Sequence, residues 1–168
     1  KNIKKFELVD NKNVKKIKFK KNILFKNIFF KFSSNNEYFF ENINAEINKN
    51  EKIIINGVTG SGKTTLLSIF IGMLKANKGS IIVDGEMIPV EDYMINAGYV
   101  PQSIYLLDDS IKNNILVGRD YDEEKLKKCI KISQLETYLE KLPNNFNTIV
   151  GEKGAKISGG QIQRIGIA

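Results

Sequence analysis

The sequence predicts an α/β fold in which a phosphate-binding loop joins a strand to a helix and a mostly helical part follows. Three observations support this prediction. Short apolar runs occupy the first third of the 168 residues, a GxxxxGK[ST] pattern lies at residues 57–64, and helical periodicity dominates from residue 110 onward. Since 42% of the residues are hydrophobic, the chain can bury a core.

The first part of the chain predicts strands around one helix. Residues 24–32 are rich in Ile, Leu and Phe, and residues 43–47 alternate between apolar and polar side chains, so both predict β-strands. Residues 52–56 are a short apolar run ending at a glycine and predict a third strand. Residues 63–74 are apolar on nearly all sides, as in an enclosed helix, and residues 80–83 return to a strand.

The later part of the chain predicts helices over residues 122–132 and 134–141. In the first of these, Leu126, Cys129 and Ile130 share one face. We therefore interpret Cys129 as a small buried hydrophobic residue rather than a reactive thiol.

The composition excludes several kinds of chemistry. The chain has no histidine and one cysteine, which excludes His-based triads, His-ligated metals, CxxC zinc sites and disulfides within the chain. The remaining candidates are Lys, Ser, Thr, Gln, Asp, Glu and backbone groups. The longest nearly apolar stretch, residues 66–74, is too short to span a bilayer, so we do not expect this segment to lie in the membrane.

The net charge of +7 is concentrated at one end of the chain. Residues 1–31 contain eleven Lys and two acidic residues, whereas the other 137 residues carry 15 basic and 17 acidic groups. The basic segment fits either a linker beside a membrane span, attracted to anionic headgroups, or an ordinary solvated linker. The nearly neutral remainder does not favour a nucleic-acid partner.

The GVTGSGKT run at residues 57–64 predicts a nucleoside triphosphate site. Its glycines allow consecutive N–H groups to face an anion, and the start of the following helix adds partial positive charge. Lys63 would neutralise the β- and γ-phosphates, and the Thr64 hydroxyl would bind Mg²⁺. The candidate nucleotide contacts are Gly57, Thr59, Gly60, Ser61, Gly62, Lys63, Thr64 and Thr65.

A second motif, ISGGQ at residues 157–161, has two interpretations. Ser158 and Gln161 form an S-x-x-Q capping box, which needs no function beyond starting a helix. A Ser beside two glycines at a helix N-terminus is also suited to binding phosphate. Two phosphate sites exceed the needs of one triphosphate, and a second copy of the protein would explain the surplus.

In this order, the two motifs resemble the Walker A and LSGGQ signature motifs of the nucleotide-binding domain of ABC transporters, with Ile157 in place of Leu. The resemblance implies an ABC ATPase core with an N-terminal antiparallel β-subdomain and an α-helical insert. It also implies that two such domains, here a homodimer, enclose two ATP molecules. The signature residues that would contact the γ-phosphate held by the partner are Ser158, Gly159, Gly160 and Gln161.

Two further segments resemble parts of the same family. Residues 98–102 resemble its Q-loop, which would place Gln102 near Mg²⁺ and the attacking water and give it a catalytic role together with Lys63. Residues 28–32 resemble the strand that ends in the adenine-stacking aromatic. This resemblance makes Phe32 the candidate for base stacking and Tyr38 the second choice.

The resemblance favours the exporter branch of the family. Residues 148–154 resemble the TEVGERG stretch of exporters, although Ile149 replaces its usual Glu, and residues 103–114 resemble the post-Q-loop of bacterial flippases for lipid-linked oligosaccharides. We therefore expect residues 1–22 to be a basic linker from a transmembrane domain of the same polypeptide. Residues 23–168 would form a partial ATP-binding domain at the cytoplasmic face of a bacterial inner membrane, with a helical subdomain over about 104–168.

The resemblance covers residues 20–168, and the family's Walker B strand, D-loop and switch histidine would follow later. We therefore expect the C-terminal part of the domain to be missing, so that this chain alone binds ATP at best weakly and does not hydrolyse it. Its parent would be an ATPase that drives export or flipping.

Two alternatives are less favoured by the sequence. A soluble ABC ATPase acting on nucleic acid would need a basic globular surface or coiled-coil heptads. A P-loop kinase or GTPase would leave residues 157–164 unexplained.

Overall fold

The computed structural model describes residues 17–151, 154 and 157–168. The chain divides into two compact units, Lys1–Ala97 and Gly98–Ala168, each with its own hydrophobic cluster. Within the described ranges, no helix is both long and apolar enough to cross a membrane. Most of the predicted linker at residues 1–22 lies outside the described residues.

The first unit contains a four-stranded antiparallel sheet, which confirms the predicted antiparallel β-subdomain. Its spatial order is β2-β1-β3-β4. The strands are β1 Asn22–Phe30, β2 Phe40–Asn48, β3 Lys78–Val83 and β4 Glu86–Ile88. The predictions at 24–32, 43–47 and 80–83 are therefore confirmed to within a few residues at each end.

A bulge at Asn27 divides β1 into two halves. Asn27 has a φ of 50°, and the pairing register shifts beside it toward both neighbouring strands. Ile23 and Phe25 are buried before the bulge, and Ile28 and Phe30 are buried after it. Because side chains alternate faces with a period of two, the extra residue keeps the apolar side chains of both halves on the core face.

Helix α1, Lys63–Phe70, contributes to the core of the first unit. The rings of Phe25 and Phe70 lie 4.6 Å apart, and Tyr93 meets Phe25 edge to face at 5.7 Å. The Tyr93 hydroxyl donates a 2.6 Å hydrogen bond to the Phe70 carbonyl. Burial raises the pKa of the Tyr93 hydroxyl still further above physiological pH, where a tyrosine is in any case a neutral donor.

Helix α1 ends four residues earlier than predicted. Its cap is Ile71, and Gly72 follows with a φ of 82°. The backbone of Tyr93 and Met94 approaches Gly72 so closely that a Cβ there would overlap the Tyr93 carbonyl. The helical periodicity of residues 63–74 does not reveal this long-range contact, which ends the helix.

The prediction of a strand at residues 52–56 is wrong. The segment forms no ladder with any part of the chain that the structure describes, and Ile54 is 90% exposed. An apolar run becomes a strand only when a neighbouring strand accepts its backbone hydrogen bonds. The run before the glycine-rich loop therefore forms no regular element.

The second unit is mainly helical, as predicted. Its helices are α2 Ile111–Leu116, α3 Glu123–Ile132, α4 Glu136–Leu139 and α5 Gly159–Ile167, and a 3₁₀ turn lies at Asn145–Asn147. The buried core contains Leu106, Ile111, Leu126, Ile130, Leu135, Leu139, Val150 and Ile165. The predicted helix at 122–132 is confirmed, with Asp122 as its cap.

The helix predicted at 134–141 is shorter in the structure. Gln134 has a φ of 55°, outside the helical region, and α4 begins only at Glu136. Left-handed backbone at a non-glycine residue interrupts a helix.

The predicted inward face of α3 is confirmed for Leu126 and Ile130, but the prediction that Cys129 is buried is wrong. Leu126 and Ile130 are buried, whereas Cys129 is half-buried and lines a surface groove with a free thiol.

Candidate nucleotide site

The glycine-rich loop leads directly into α1. Gly60 and Gly62 have φ values of 84° and 87°, in the left-handed region that favours glycine. Gly57 lies against Ser61, because a Cβ at residue 57 would meet Ser61 Oγ at 2.7 Å. Gly62 is the N-cap of α1 and provides no side-chain cap, so the first-turn N–H groups receive no acceptor from the capping residue.

The Lys63 ammonium folds back over the start of this loop. Its Nζ donates hydrogen bonds to the carbonyls of Gly57 at 2.9 Å and Val58 at 2.8 Å. The two carbonyls hold a positive charge beside the N-terminal end of α1, where the helix dipole also favours an anion. The loop, the lysine and the helix therefore combine three features that attract phosphate.

Two threonines follow Lys63 in the first turn of α1. Thr64 is exposed and Thr65 is half-buried. Mg²⁺ prefers oxygen ligands and usually takes only one or two from the protein, the others coming from water and substrate phosphates. The Thr64 hydroxyl fits that donor chemistry. The structure shows no cluster of three or more His, Cys, Asp or Glu side chains within its described ranges.

The two aromatic candidates for base stacking occupy different settings. Phe32 is 38% exposed, and its ring meets Phe30 edge to face at 5.0 Å. Tyr38 instead pairs with Phe29 at 5.3 Å, and its ring lies under the ammonium groups of Lys31 and Lys78.

A further aromatic residue, Phe39, lies near the loop without being marked by any sequence motif. Phe39 lies 5.5 Å from the Phe32 ring, and its Cε1 lies 2.5 Å from the position that a Cβ on Gly62 would occupy. Phe40 also lies beside Gly62. The signal in the sequence was the Phe-Phe pair that starts a strand, but an aromatic pair at a strand start does not identify what it contacts.

Gln102 belongs to the second unit, in an exposed loop without regular secondary structure. Its backbone carbonyl accepts a 2.8 Å hydrogen bond from Nε2 of Gln163, in α5. The side chain of Gln163 thus ties the Gln102 loop to the helix that follows the signature motif. No sequence motif marks Gln163 for this role.

The capping box predicted from Ser158 and Gln161 is present at the start of α5. The Ser158 N–H donates to the side-chain oxygen of Gln161 at 2.8 Å, and the Gln161 N–H donates to Ser158 Oγ at 3.4 Å. The structural interpretation of the motif is therefore confirmed. The Ser158 hydroxyl accepts in this cap, so its own O–H proton can still be donated.

The two glycines of the signature are not explained by packing. Gly159 and Gly160 are exposed, and a Cβ on either would meet nothing within 4 Å among the described residues. They are the first two residues of α5, before the helix interior where glycine costs about 0.5–1 kcal/mol relative to alanine. Gly159 and Gly160 therefore leave open space at the start of α5 that no described side chain fills.

A cavity of about 630 Å³ lies beside the start of α5. Ser158, Lys141 and Arg164 are among the residues that line it. Arg164 is fixed there, because its Nη1 donates to the Gln134 carbonyl at 2.5 Å. Lys141 and Arg164 place positive charge beside the cavity, and Glu136, which also lines it, places one negative charge there.

The segment after Gln102 is ordered by polar contacts within the second unit. The buried Asn114 side chain accepts from the Leu107 N–H at 2.8 Å and donates to the Ser110 carbonyl at 3.0 Å. Asp109 accepts from the Ser110 N–H, and this contact holds the pKa of the Asp109 carboxyl below its usual range. The backbone of Ser110 also forms an isolated antiparallel β-bridge with Ile149. Ile149 belongs to the predicted exporter-like stretch at residues 148–154, of which Glu152 and Lys153 lie outside the described residues.

Comparison with known families gives one match over most of the chain. The family model described as "ABC transporter" matches residues 40–168. This range includes both the glycine-rich loop and the ISGGQ motif.

Comparison with curated proteins finds exporters and flippases. The chain is 37% identical over 156 residues to an ATP-dependent lipid A-core flippase of Desulfotalea psychrophila, covering 89% of this chain and 27% of that protein. It is 32% identical over 151 residues to the flippase of the same name from Haemophilus influenzae, covering 86% of this chain and 25% of the relative. The chain thus spans about a quarter of the length of these relatives.

Comparison with solved structures also finds an ABC exporter. The structure of a bacterial Atm1-family ABC exporter with ATP bound superposes with a TM-score of 0.75 at 26% sequence identity. The match covers 93% of this chain and 28% of that exporter.

Proposed function

Because the chain belongs to the ABC transporter family, we propose that it is part of the ATP-binding domain of an exporter or flippase that uses ATP to move a substrate across a membrane. The observation that carries the proposal is the loop at residues 57–62, where two left-handed glycines and the Lys63 ammonium lie at the start of α1. The relatives named as flippases and exporters support this branch, and the soluble nucleic-acid ATPase is not favoured.

In the proposed site, each residue of the first unit has a separate task. The glycine loop and the α1 N-terminus bind the triphosphate, Lys63 balances the charge of the β- and γ-phosphates, and Phe32 stacks on the base. Thr64 would bind Mg²⁺ through its hydroxyl. When bound, Mg²⁺ neutralises charge that develops on the phosphates.

Gln102 and the signature residues complete the proposed ATPase. Gln102 would hold the attacking water and contribute to the Mg²⁺ site. The signature residues from Ser158 to Gln161 would contact the γ-phosphate bound by a second copy of the domain. The exposed Gly159 and Gly160 support this role, because they leave room for a partner's ligand.

We propose that the working protein is a homodimer whose ATP-binding domains are joined to transmembrane domains in the same polypeptide. The ATP-binding domains would lie at the cytoplasmic face of a bacterial inner membrane. Fractionation of the source cell with an antibody to this domain tests the placement. We expect a membrane-bound polypeptide much heavier than 19.0 kDa, and a soluble reacting polypeptide would contradict the fused exporter.

ATP binding by the purified full-length protein tests the site itself. Since a hydrogen bond to a charged group contributes about 1.5–3 kcal/mol, Lys63→Ala should weaken ATP binding by about tenfold or more. Lys128→Ala, an exposed lysine on α3, is the matched control and should bind ATP as the unchanged protein does. Equal affinity in all three proteins would contradict the proposed site.

We also propose that a polypeptide of these 168 residues alone does not turn over ATP. Its sequence offers no match to the family's Walker B Asp and Glu, which would complete the metal site and the base. A measured turnover that disappears in Lys63→Ala would contradict this proposal.

A further inference from the structure

Phe39 is fixed beside the phosphate loop by contacts on two sides. Its N–H donates a 2.8 Å hydrogen bond to the Phe30 carbonyl, which attaches its backbone to the end of β1. On the other side, its Cε1 and Cζ lie 2.5 Å and 3.0 Å from the position of a Cβ on Gly62. The ring therefore has a defined place next to the last glycine of the loop.

Phe39 is 42% exposed, and its neighbour Phe32 is 38% exposed. Their centroids lie 5.5 Å apart, with an angle of 63° between the planes. Two aromatic rings at this angle form a corner. The Phe39 ring also packs edge to face on Phe40 at 4.8 Å, and both Phe32 and Phe39 keep exposed surface. An exposed apolar corner beside an anion-binding loop is suited to a ligand with a flat apolar end and a polyanionic end.

A nucleoside triphosphate has that form. We propose that Phe39 is a base-binding residue, and that Phe32 and Phe39 together form a two-sided aromatic seat for the nucleobase. This inference rests on the proposed function, because it needs the triphosphate to be bound at residues 57–64. Its new content is that the base contacts two rings, one of which adjoins the phosphate loop.

The same contact offers a competing explanation. Phe39 could serve only to pack against Gly62 and keep the phosphate loop in shape. A ligand without a base separates the two roles, because inorganic tripolyphosphate can bind the loop but cannot touch an aromatic seat.

The test measures the Kd of Mg-ATP and of Mg-tripolyphosphate for the purified full-length protein. The variants are Phe39→Leu, which keeps an apolar side chain but removes the flat ring, and Phe39→Tyr, which keeps the ring. Tyr121→Ala, an exposed aromatic residue of the second unit, is the control. Phe39→Leu should weaken ATP binding about tenfold and leave tripolyphosphate binding unchanged, while Phe39→Tyr and the control retain the original affinity for both.

The other outcomes overturn the inference in distinguishable ways. Unchanged ATP affinity in Phe39→Leu removes Phe39 from the base seat. An equal loss for ATP and tripolyphosphate shows that Phe39 only supports the loop. If the unchanged protein binds neither ligand, the proposed function fails, and the base seat fails with it.

Discussion

Nε2 of Gln163 donates a 2.8 Å hydrogen bond to the backbone carbonyl of Gln102, 61 residues earlier in the chain. This contact joins the loop that carries Gln102 to the helix that begins at the signature motif. A loop without regular secondary structure depends on such contacts for a fixed position.

We predict that Gln163→Glu loosens the Gln102 loop. At neutral pH a glutamate has the same shape but no proton to donate to the carbonyl. Hydrogen exchange at residues 99–105 of the full-length protein should become faster, and ATP turnover should fall while ATP affinity, set by the loop at residues 57–62, is retained. Gln163→Lys, which keeps a donor, is the control, and unchanged exchange in Gln163→Glu would contradict this role.

We predict opposite effects on stability for alanine at two glycines of α5. Gly159→Ala adds a methyl group where nothing lies within 4 Å among the described residues. The free energy of unfolding should therefore be unchanged or rise by up to about 1 kcal/mol. Gly166→Ala drives its Cβ into the Ile104 side chain and should lower stability by about 1–2 kcal/mol.

Gly159→Ala should also affect activity. Gly159→Ala should reduce ATP turnover despite its intact stability, because the methyl group occupies space proposed for the partner's phosphate. Calorimetry and turnover measured on the same preparations check both halves. Full turnover in Gly159→Ala would show that the space beside Gly159 is not needed by a partner's phosphate.

We predict that Gly72→Ala is more destabilising than Gly85→Ala. Both glycines have left-handed backbone, with φ values of 82° and 93°, so both substitutions add backbone strain. Only at Gly72 would the new Cβ also overlap the Tyr93 backbone, whereas at Gly85 nothing described lies within 4 Å. The extra loss should be about 1–3 kcal/mol in denaturant unfolding, and equal losses would show that the Tyr93 contact can relax.

We predict that the contact between Asp84 and the backbone at the start of β1 is lost in acid. The Asp84 carboxylate accepts backbone N–H groups from Lys20 and Lys21 at 2.6 Å each and from Asn22 at 3.1 Å. The Lys20 and then the Lys21 hydrogen bond lower the pKa of Asp84 below its usual range. The stabilisation is therefore present above the unfolded-state pKa and is lost as the pH falls through the lower folded-state pKa.

The amide NMR shifts of Lys20 and Lys21 should follow this titration in the acid range. In Asp84→Asn the same amides should show no such step, and trypsin should cleave after Lys20 and Lys21 faster at neutral pH. A midpoint at or above the ordinary aspartate value would contradict the predicted direction of the pKa shift.

Local patterns predicted much of the fold. Apolar and polar residues along β2 and the Ser158 capping box are short-range signals, and the structure contains both elements. The ends of elements depended on contacts far along the chain. Helix α1 stops where Gly72 meets Tyr93, and residues 52–56 have no described strand partner.

The candidate site divides in the same way. Residues 57–64 are contiguous and follow a pattern whose chemistry is local, so the sequence was sufficient to propose them. Phe39 and Gln163 depend on distant contacts with Gly62 and Gln102. Neither contact leaves a periodic or compositional signal, and only the folded chain reveals them.

The bulge at Asn27 reconciles an odd residue spacing with a single core face. Phe25 and Ile28 are three residues apart, so an unbulged strand of the same length would place Ile28 and Phe30 on the face opposite Phe25. Deleting Asn27 would restore regular alternation and keep Ile28 and Phe30 on the core face, whereas a β-branched residue at this position would disfavour the left-handed backbone that forms the bulge. The direction in which Phe32 leaves the end of β1 therefore depends on one backbone conformation, and a substitution at Asn27 would disturb it more than the loss of that residue.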